Sequence, residues 1–359
     1  MQKVAVIMAG GGGTRFWPLS RQNKPKQLLN LTGKEVMINE TILRYEGLIS
    51  PQDTLIVTNQ TQSELLEEIL IKEMPRENIL KEPLGRNTAA CILYAALVIQ
   101  KRYGDAVISV LPADHYFQDL DGFKKVLGKA CQVAEQTDKL LTIGIKPTFP
   151  ATGYGYIKFN QNLNQALPEN VYSVAEFVEK PDFEKAKKYL ESGSYLWNSG
   201  MFVWKASVIL ENFERYLPRI YHTLAPLAEV IDTDQEASVL AELYPKLQSI
   251  SIDYGIMERS DQVLVIPGDF GWNDVGSWDA LGAIFPPDEQ GNIIQAQHLG
   301  IETKNSIIYG GERLIATIGM SEVIIADTND ALLICPKDKA QEVKVIVDLL
   351  KEKGMLEYF

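Results

Sequence analysis

The strongest constraint on this 359-residue chain is how it begins. An apolar run, Val4–Ala9, leads straight into four consecutive glycines, Gly10–Gly13, and then into Thr14-Arg15-Phe16-Trp17-Pro18-Leu19-Ser20. A strand that empties into glycines suits an α/β sheet with an anion-binding turn, because residues without a Cβ let successive backbone N–H groups close on one ligand. Arg15 adds a fork of donors that fits phosphate, and Lys26, in the following Pro25-Lys26-Gln27, adds a mobile point charge. Two other glycine motifs fail. A P-loop needs Gly-Lys-Ser/Thr where this loop has Gly-Thr-Arg, and a dinucleotide fingerprint counted from Gly11 and Gly13 needs glycine where Phe16 stands. A nicotinamide oxidoreductase is disfavoured on that spacing.

The rest of the first half alternates in type. Strands are expected at Thr54–Thr58, Ala106–Leu111 and Leu140–Ile145, and helices at Gln62–Leu70, Asn87–Arg102 and Phe123–Glu135. Such alternation predicts a sheet covered on both faces. Further strands are expected at Gly155–Asn160, Val171–Val178, Met201–Trp204 and Val263–Ile266. A helix opens at Pro181-Asp182 and stops at Gly193, and more helices fall between Ser207 and Leu247. After about Pro286 short apolar runs alternate with turn residues, from Gly300–Thr303 to Ala331–Ile334, before an amphipathic helix at Lys339–Lys353. The expected fold is α/β and Rossmann-like, with a mostly parallel mixed sheet, over residues 1–286. A small β unit with a closing helix is expected over 287–359.

Charge narrows the function. The chain carries a net charge of -12 and shows no basic stripe, which argues against nucleic acid as a partner. A polyanionic ligand must then be held by a local cluster of donors or by a metal. No run of about 18 apolar residues is present, so no membrane span is expected, and the start reads as a strand rather than a signal peptide. Cys91, Cys131 and Cys335 are too scattered for a metal site or a disulfide framework; core packing in a reducing cytoplasm is expected.

Polar clusters recur at the ends of the apolar runs. Leu111-Pro112-Ala113-Asp114-His115 closes a strand with an acid, where α/β sheets bind ligands and where an aspartate can hold magnesium between phosphates. His115 is a weaker candidate for moving a proton, and His222 and His298 read as structural. Glu82-Pro83-Leu84-Gly85-Arg86-Asn87-Thr88 combines a tight turn with a helix start that Asn87 or Thr88 can cap. Glu179-Lys180 sets a carboxylate, able to accept from sugar hydroxyls, beside an ammonium able to pair with phosphate.

The loop together with Pro-Lys-Gln resembles the signature of the sugar 1-phosphate nucleotidyltransferases. Its Trp-Pro and Pro-Lys-Gln variants look like the mannose-1-phosphate guanylyltransferase branch in its short, single-function form; longer relatives add a sugar-phosphate isomerase domain. Gly12 is a departure in the loop, and Ala90 stands where the branch often has proline. The resemblance runs from about residue 2 to the last helix. It implies a nucleotidyltransferase domain followed by a β unit of the left-handed β-helix kind. It implies nucleotide contacts from Ala9, Gly10, Gly11, Gly13, Thr14, Arg15, Lys26 and Asp114. Base and ribose contacts would come from Glu82, Gly85, Arg86, Asn87 and Thr88, and sugar 1-phosphate contacts from Gly155, Glu179, Lys180 and Asn198. Magnesium would be held by Asp114 and Asp274, with Asp269 a poorer match. The implied reaction joins GTP and mannose 1-phosphate into GDP-mannose and pyrophosphate, with Arg15, Lys26, Asp114 and Asp274 carrying the chemistry. The β unit offers a contact for a homodimer. Rival readings are a nucleotidyltransferase for another base or sugar, and a non-catalytic nucleotide-sugar sensor. A sensor would be expected to have lost phosphate or metal ligands that this chain retains.

Overall fold

A computed structural model describes residues 1–161, 167–178 and 180–359. Its strands are β1 (Lys3–Met8), β2 (Thr54–Asn59), β3 (Ile79–Glu82), β4 (Val107–Pro112), β5 (Tyr116–Phe117), β6 (Leu140–Ile145), β7 (Tyr156–Phe159), β8 (Tyr172–Val178) and β9 (Tyr195–Lys205). They continue with β10 (Val263–Gly268), β11 (Trp272–Asn273), β12 (Ile293–Gln295), β13 (His298–Ile301), β14 (Ile307–Tyr309), β15 (Ile315–Ile318), β16 (Val323–Asp327) and β17 (Leu332–Pro336). By packing, the described chain divides into two units. The first is Met1–Gly10, Ile42–Ala113 and Asp119–Phe270; the second is Gly11–Thr41, Asp114–Gln118 and Gly271–Phe359.

The first unit holds a nine-stranded sheet in the order β3-β2-β1-β4-β9-β6-β10-β8-β7. The sheet is mixed. β3-β2-β1-β4 run parallel, as do β6 and β10. β9 runs antiparallel between β4 and β6, and β7 pairs antiparallel with β8. The strand expected at Met201–Trp204 is therefore much longer. Trp197 and Asn198, which look like loop residues in the sequence, continue the ladder opposite Ile145 and Gly144, and Gly200 absorbs a φ of 67° within it. The helix Asn87–Tyr103 is buried from Ala89 to Ile99. It is apolar on every face, as a helix enclosed by its own core must be. It shares that core with Val4, Val6, Leu55, Val57, Ile108 and Val110 of the parallel strands. Each such aliphatic side chain contributes about 1.5–3 kcal/mol on burial. β1 and β4 end in register, Met8 opposite Pro112, so both release their chains at one edge.

The second unit stacks β12, β14 and β16 in parallel, with β17 antiparallel to β16, and pairs β13 with β15. Parallel strands ordinarily need a long crossover; here successive short strands, with no helix between them, make a coil. Ile293, Ile307 and Ile324 point inward and share a core with Phe16, Trp17, Trp278, Val343 and Val347. The glycine turn is thus anchored on this unit through its aromatic flank. The Trp278 indole donates to the Trp17 carbonyl at 3.0 Å, and the Trp17 indole donates to the Tyr358 carbonyl at 2.6 Å. The closing helix opens as a 3-10 segment, Lys337–Glu342, and becomes α-helical at Val343–Glu352. Cys91 and Cys131 are buried as expected, whereas Cys335 on β17 is only half-buried. Among the described residues no helix is long and apolar enough to cross a membrane.

Candidate active site

Gly13 is the glycine that the loop cannot replace. It has a φ of 50°, and a Cβ there would lie 2.5 Å from the Lys26 nitrogen. Gly12 faces open space, so the extra glycine answers no steric demand. The chain then makes one 3-10 turn, Thr14–Phe16, which ends at Trp17. Pro-Lys-Gln works as a strap beneath the loop. The Gln27 amide donates to the Gly11 carbonyl at 3.0 Å, the Lys26 backbone packs on Gly13, and the Lys26 side chain turns inward.

The two acids meet through a ribbon that the sequence does not announce. β5 pairs antiparallel with β11, Trp272 opposite Phe117 and Asn273 opposite Tyr116. Asp114, just before β5, and Asp274, just after β11, are thereby drawn together. The Lys26 ammonium lies 2.9 Å from Asp114 Oδ2 and donates to the Asp274 carbonyl at 2.6 Å. Burial pushes the Asp114 carboxyl up, but the Lys26 and His115 charges and the Lys26 hydrogen bond outweigh it and hold the group below the usual carboxylate range. His115 is nearly buried, and its Nδ1 accepts the Trp272 indole N–H at 3.0 Å, which fixes the ring. A cavity of about 430 Å³ opens here, lined by Gly12–Phe16, Lys26, both acids, His115 and Lys344. Among the described residues no group of three or more His, Cys, Asp or Glu converges to hold a metal, so the protein offers two acids at this place.

The other expected contacts belong to the first unit and form two groups. Around Glu82, which is 4% exposed, the Tyr244 hydroxyl donates to Oε1 while Oε2 faces Gly10, whose added Cβ would lie 3.2 Å away. Burial lifts the Glu82 carboxyl to about 7, against the opposing Tyr244 hydrogen bond. Arg86 donates to the Pro245 carbonyl. Asn87, at φ 65°, accepts the Thr88 N–H at 2.8 Å, and Thr88 Oγ1 accepts the Ile252 N–H at 2.8 Å. The second group gathers at β9. The Asn198 N–H donates to the Gly155 carbonyl at 2.8 Å, and its amide donates to Asp253 Oδ1 at 2.7 Å. The stretch 250–253 therefore links the two groups. Gly85 and Lys180 are exposed, and Ala9 uses its N–H and carbonyl on Val57 and Thr58 of β2. Glu179 lies outside the described residues.

Residues 4–291 match the family model described as nucleotidyl transferase. The chain belongs to that family. Residues 296–350 match a second model, a MannoseP isomerase/GMP-like beta-helix domain, in agreement with the coil of short strands. The chain is 37% identical to the mannose-1-phosphate guanylyltransferase of Escherichia coli, over 98% of this chain and 74% of that protein. It is 40% identical to the xanthan biosynthesis protein XanB of Xanthomonas campestris, over 98% of this chain and 74% of the relative. A solved structure from Thermus thermophilus, named as a mannose-1-phosphate geranyltransferase, superposes with a TM-score of 0.88 at 33% identity, covering 98% of this chain and all of that one.

Within this nucleotidyl transferase the structure brings Gly13, Thr14, Arg15, Lys26, Asp114 and Asp274 to one cavity. Asp269 is exposed and does not line it. Sequence reasoning missed four participants. Tyr244 and Asp253 hold expected residues from far along the chain, Trp272 fixes His115, and Lys344 reaches the cavity from the last helix. No local signal marks Lys344.

Proposed function

We propose that this nucleotidyl transferase moves GMP from GTP to mannose 1-phosphate, giving GDP-mannose and pyrophosphate. The observation that carries the reading is Lys26 held between Asp114 and Asp274 beneath a glycine turn that also presents Arg15. A phosphate oxygen of the sugar phosphate attacks the α-phosphorus in line. The bond from the α-phosphorus to the bridging oxygen breaks, and its electron pair leaves with pyrophosphate. The attacking phosphate is already anionic, since a monoester's second pKa is about 6. No general base is needed, which agrees with a His115 ring already engaged by Trp272.

The obstacle is bringing two polyanions together, so positioning and charge dominate. Loop amides, Arg15 and Lys26 bind the triphosphate. Glu82, Gly85, Arg86, Asn87 and Thr88 bind base and ribose, and Gly155, Glu179, Lys180 and Asn198 bind the sugar phosphate. Asp114 and Asp274 would hold magnesium. An ammonium already rests against the Asp114 carboxylate and the Asp274 carbonyl, so the place suits a cation with oxygen ligands. Two protein acids, with phosphate and water to complete the shell, fit magnesium better than a metal that needs a protein cage. When bound, the ion neutralises charge shared by the reacting phosphates.

We further assign catalysis to residues 1–286 and the β unit to 287–359, place the protein in the cytoplasm, and take the exposed Leu299, Ile301 and Ile318 of β13 and β15 as a homodimer contact. Pyrophosphate release should be measured for GTP, dTTP, UTP and ATP against several sugar 1-phosphates, with and without magnesium. GTP with mannose 1-phosphate should exceed every other pair; preference for another pair would overturn the assignment.

A further inference from the structure

The cavity beneath the glycine turn has one lining cation that the reaction scheme leaves unused. Lys344 stands on the helix Val343–Glu352, more than 300 residues from the loop it faces. Its neighbours Val343 and Val347 are each 2% exposed and lie in one core with Phe16 and Trp17, so the helix face is fixed against the loop's aromatic flank. The side chain itself is exposed. Asp348, one turn further on, is placed for an i,i+4 pair, yet among the described residues Lys344 makes no ion pair, whereas Lys339 pairs with Glu342 at 2.7 Å.

The charges in the cavity show why it matters. Lys26 is tied to Asp114, which leaves Arg15 and Lys344 as the exposed cations of the lining. An arriving nucleoside triphosphate brings roughly four negative charges, from phosphate ionisation. Of the expected sugar-phosphate residues, Gly155, Lys180 and Asn198 do not line this cavity. We propose that Lys344 binds the β- and γ-phosphates of the nucleotide, the part that leaves as pyrophosphate, and so makes the last helix part of the catalytic pocket. This rests on the nucleotidyl-transfer reading above and adds a residue to it.

Binding separates this inference from that reading. Pyrophosphate with magnesium, and separately GDP-mannose, should be titrated calorimetrically into the full chain, its Lys344→Ala and Lys344→Arg variants, and Lys353→Ala as an equal charge change at the far end of the helix. Losing one charge-assisted contact at an exposed position should weaken pyrophosphate roughly tenfold in Lys344→Ala. Lys344→Arg should largely restore it, and Lys353→Ala should match the parent. GDP-mannose, which lacks the departing phosphates, should bind all four proteins alike. Unchanged pyrophosphate affinity in Lys344→Ala, or an equal loss for both ligands, would overturn the inference. A parent that binds pyrophosphate through Lys344 yet forms no GDP-mannose would instead overturn the proposed reaction and leave this assignment standing.

Discussion

Replacing Glu82 by glutamine should remove a pH-dependent weakness from the fold. Glu82 is 4% exposed, and burial lifts its carboxyl from the ordinary 4.5 to about 7 despite the Tyr244 hydroxyl that donates to it. Because the folded value is the higher one, the folded chain binds the proton more tightly than the unfolded chain between those two values. Stability from this group is intact below the unfolded value and declines as pH rises through the folded one. At about 1.4 kcal/mol per tenfold change in proton affinity, ionising Glu82 in place costs roughly 3 kcal/mol. Urea unfolding at pH 5 and pH 8 should show the parent losing about 2.5 kcal/mol more than Glu82→Gln across that interval. Parallel profiles would refute the reasoning. The same titration bears on recognition, since an ionised carboxylate can accept from both the ring N–H and the amino group of guanine, whereas adenine offers an acceptor at the ring position. GTP affinity should therefore improve from pH 6 to pH 8 in the parent and lose that component in Glu82→Gln. Titration of the nucleotide's own phosphates is common to both proteins and cancels.

Asp114→Ala and Asp274→Ala should each abolish turnover while circular dichroism stays unchanged, and near-normal rates would remove either residue from the metal site. Lys26→Ala should slow single-turnover product formation about a hundred- to a thousandfold, the usual loss for one preorganised donor; an effect confined to KM would contradict that role. Lys180→Ala should raise the KM for mannose 1-phosphate and leave that for GTP alone, as steady-state kinetics would report. Gly13→Ala puts a Cβ 2.5 Å from the Lys26 nitrogen at a φ of 50°, so thermal melting should fall by the equivalent of about 1–3 kcal/mol and activity should fall with it.

Much of the fold is legible in the sequence because it is written locally. The alternation of apolar runs and capped helices marks β1, β2, β4 and β6 to within a residue or two, and Gly104 and Gly193 mark helix ends where the structure has them at φ 72° and 65°. β9 reads as too short because Asn198-Ser199-Gly200 carries turn residues, and it is the long-range pairing with β6 and β7 that carries the strand through them. The ribbon of β5 and β11 has two residues a side, too short for any period to show. For the site, the glycine turn, Lys26, Asp114 and Asp274 can be named from motifs. Their partners cannot. Tyr244 reaches Glu82 across 162 positions, and Lys344 is an ordinary lysine on an amphipathic helix until the helix is seen packed against Phe16.

The glycine turn takes its aromatic anchor from Trp278, Val343, Val347 and the Tyr358 carbonyl, all far along the chain from it. The turn's tryptophan therefore has nothing to rest on until residues 261 to 341 positions away have come into place. Long sequence separations of this kind slow folding. Phosphate-binding competence would thus be among the last features to arrive as the chain folds.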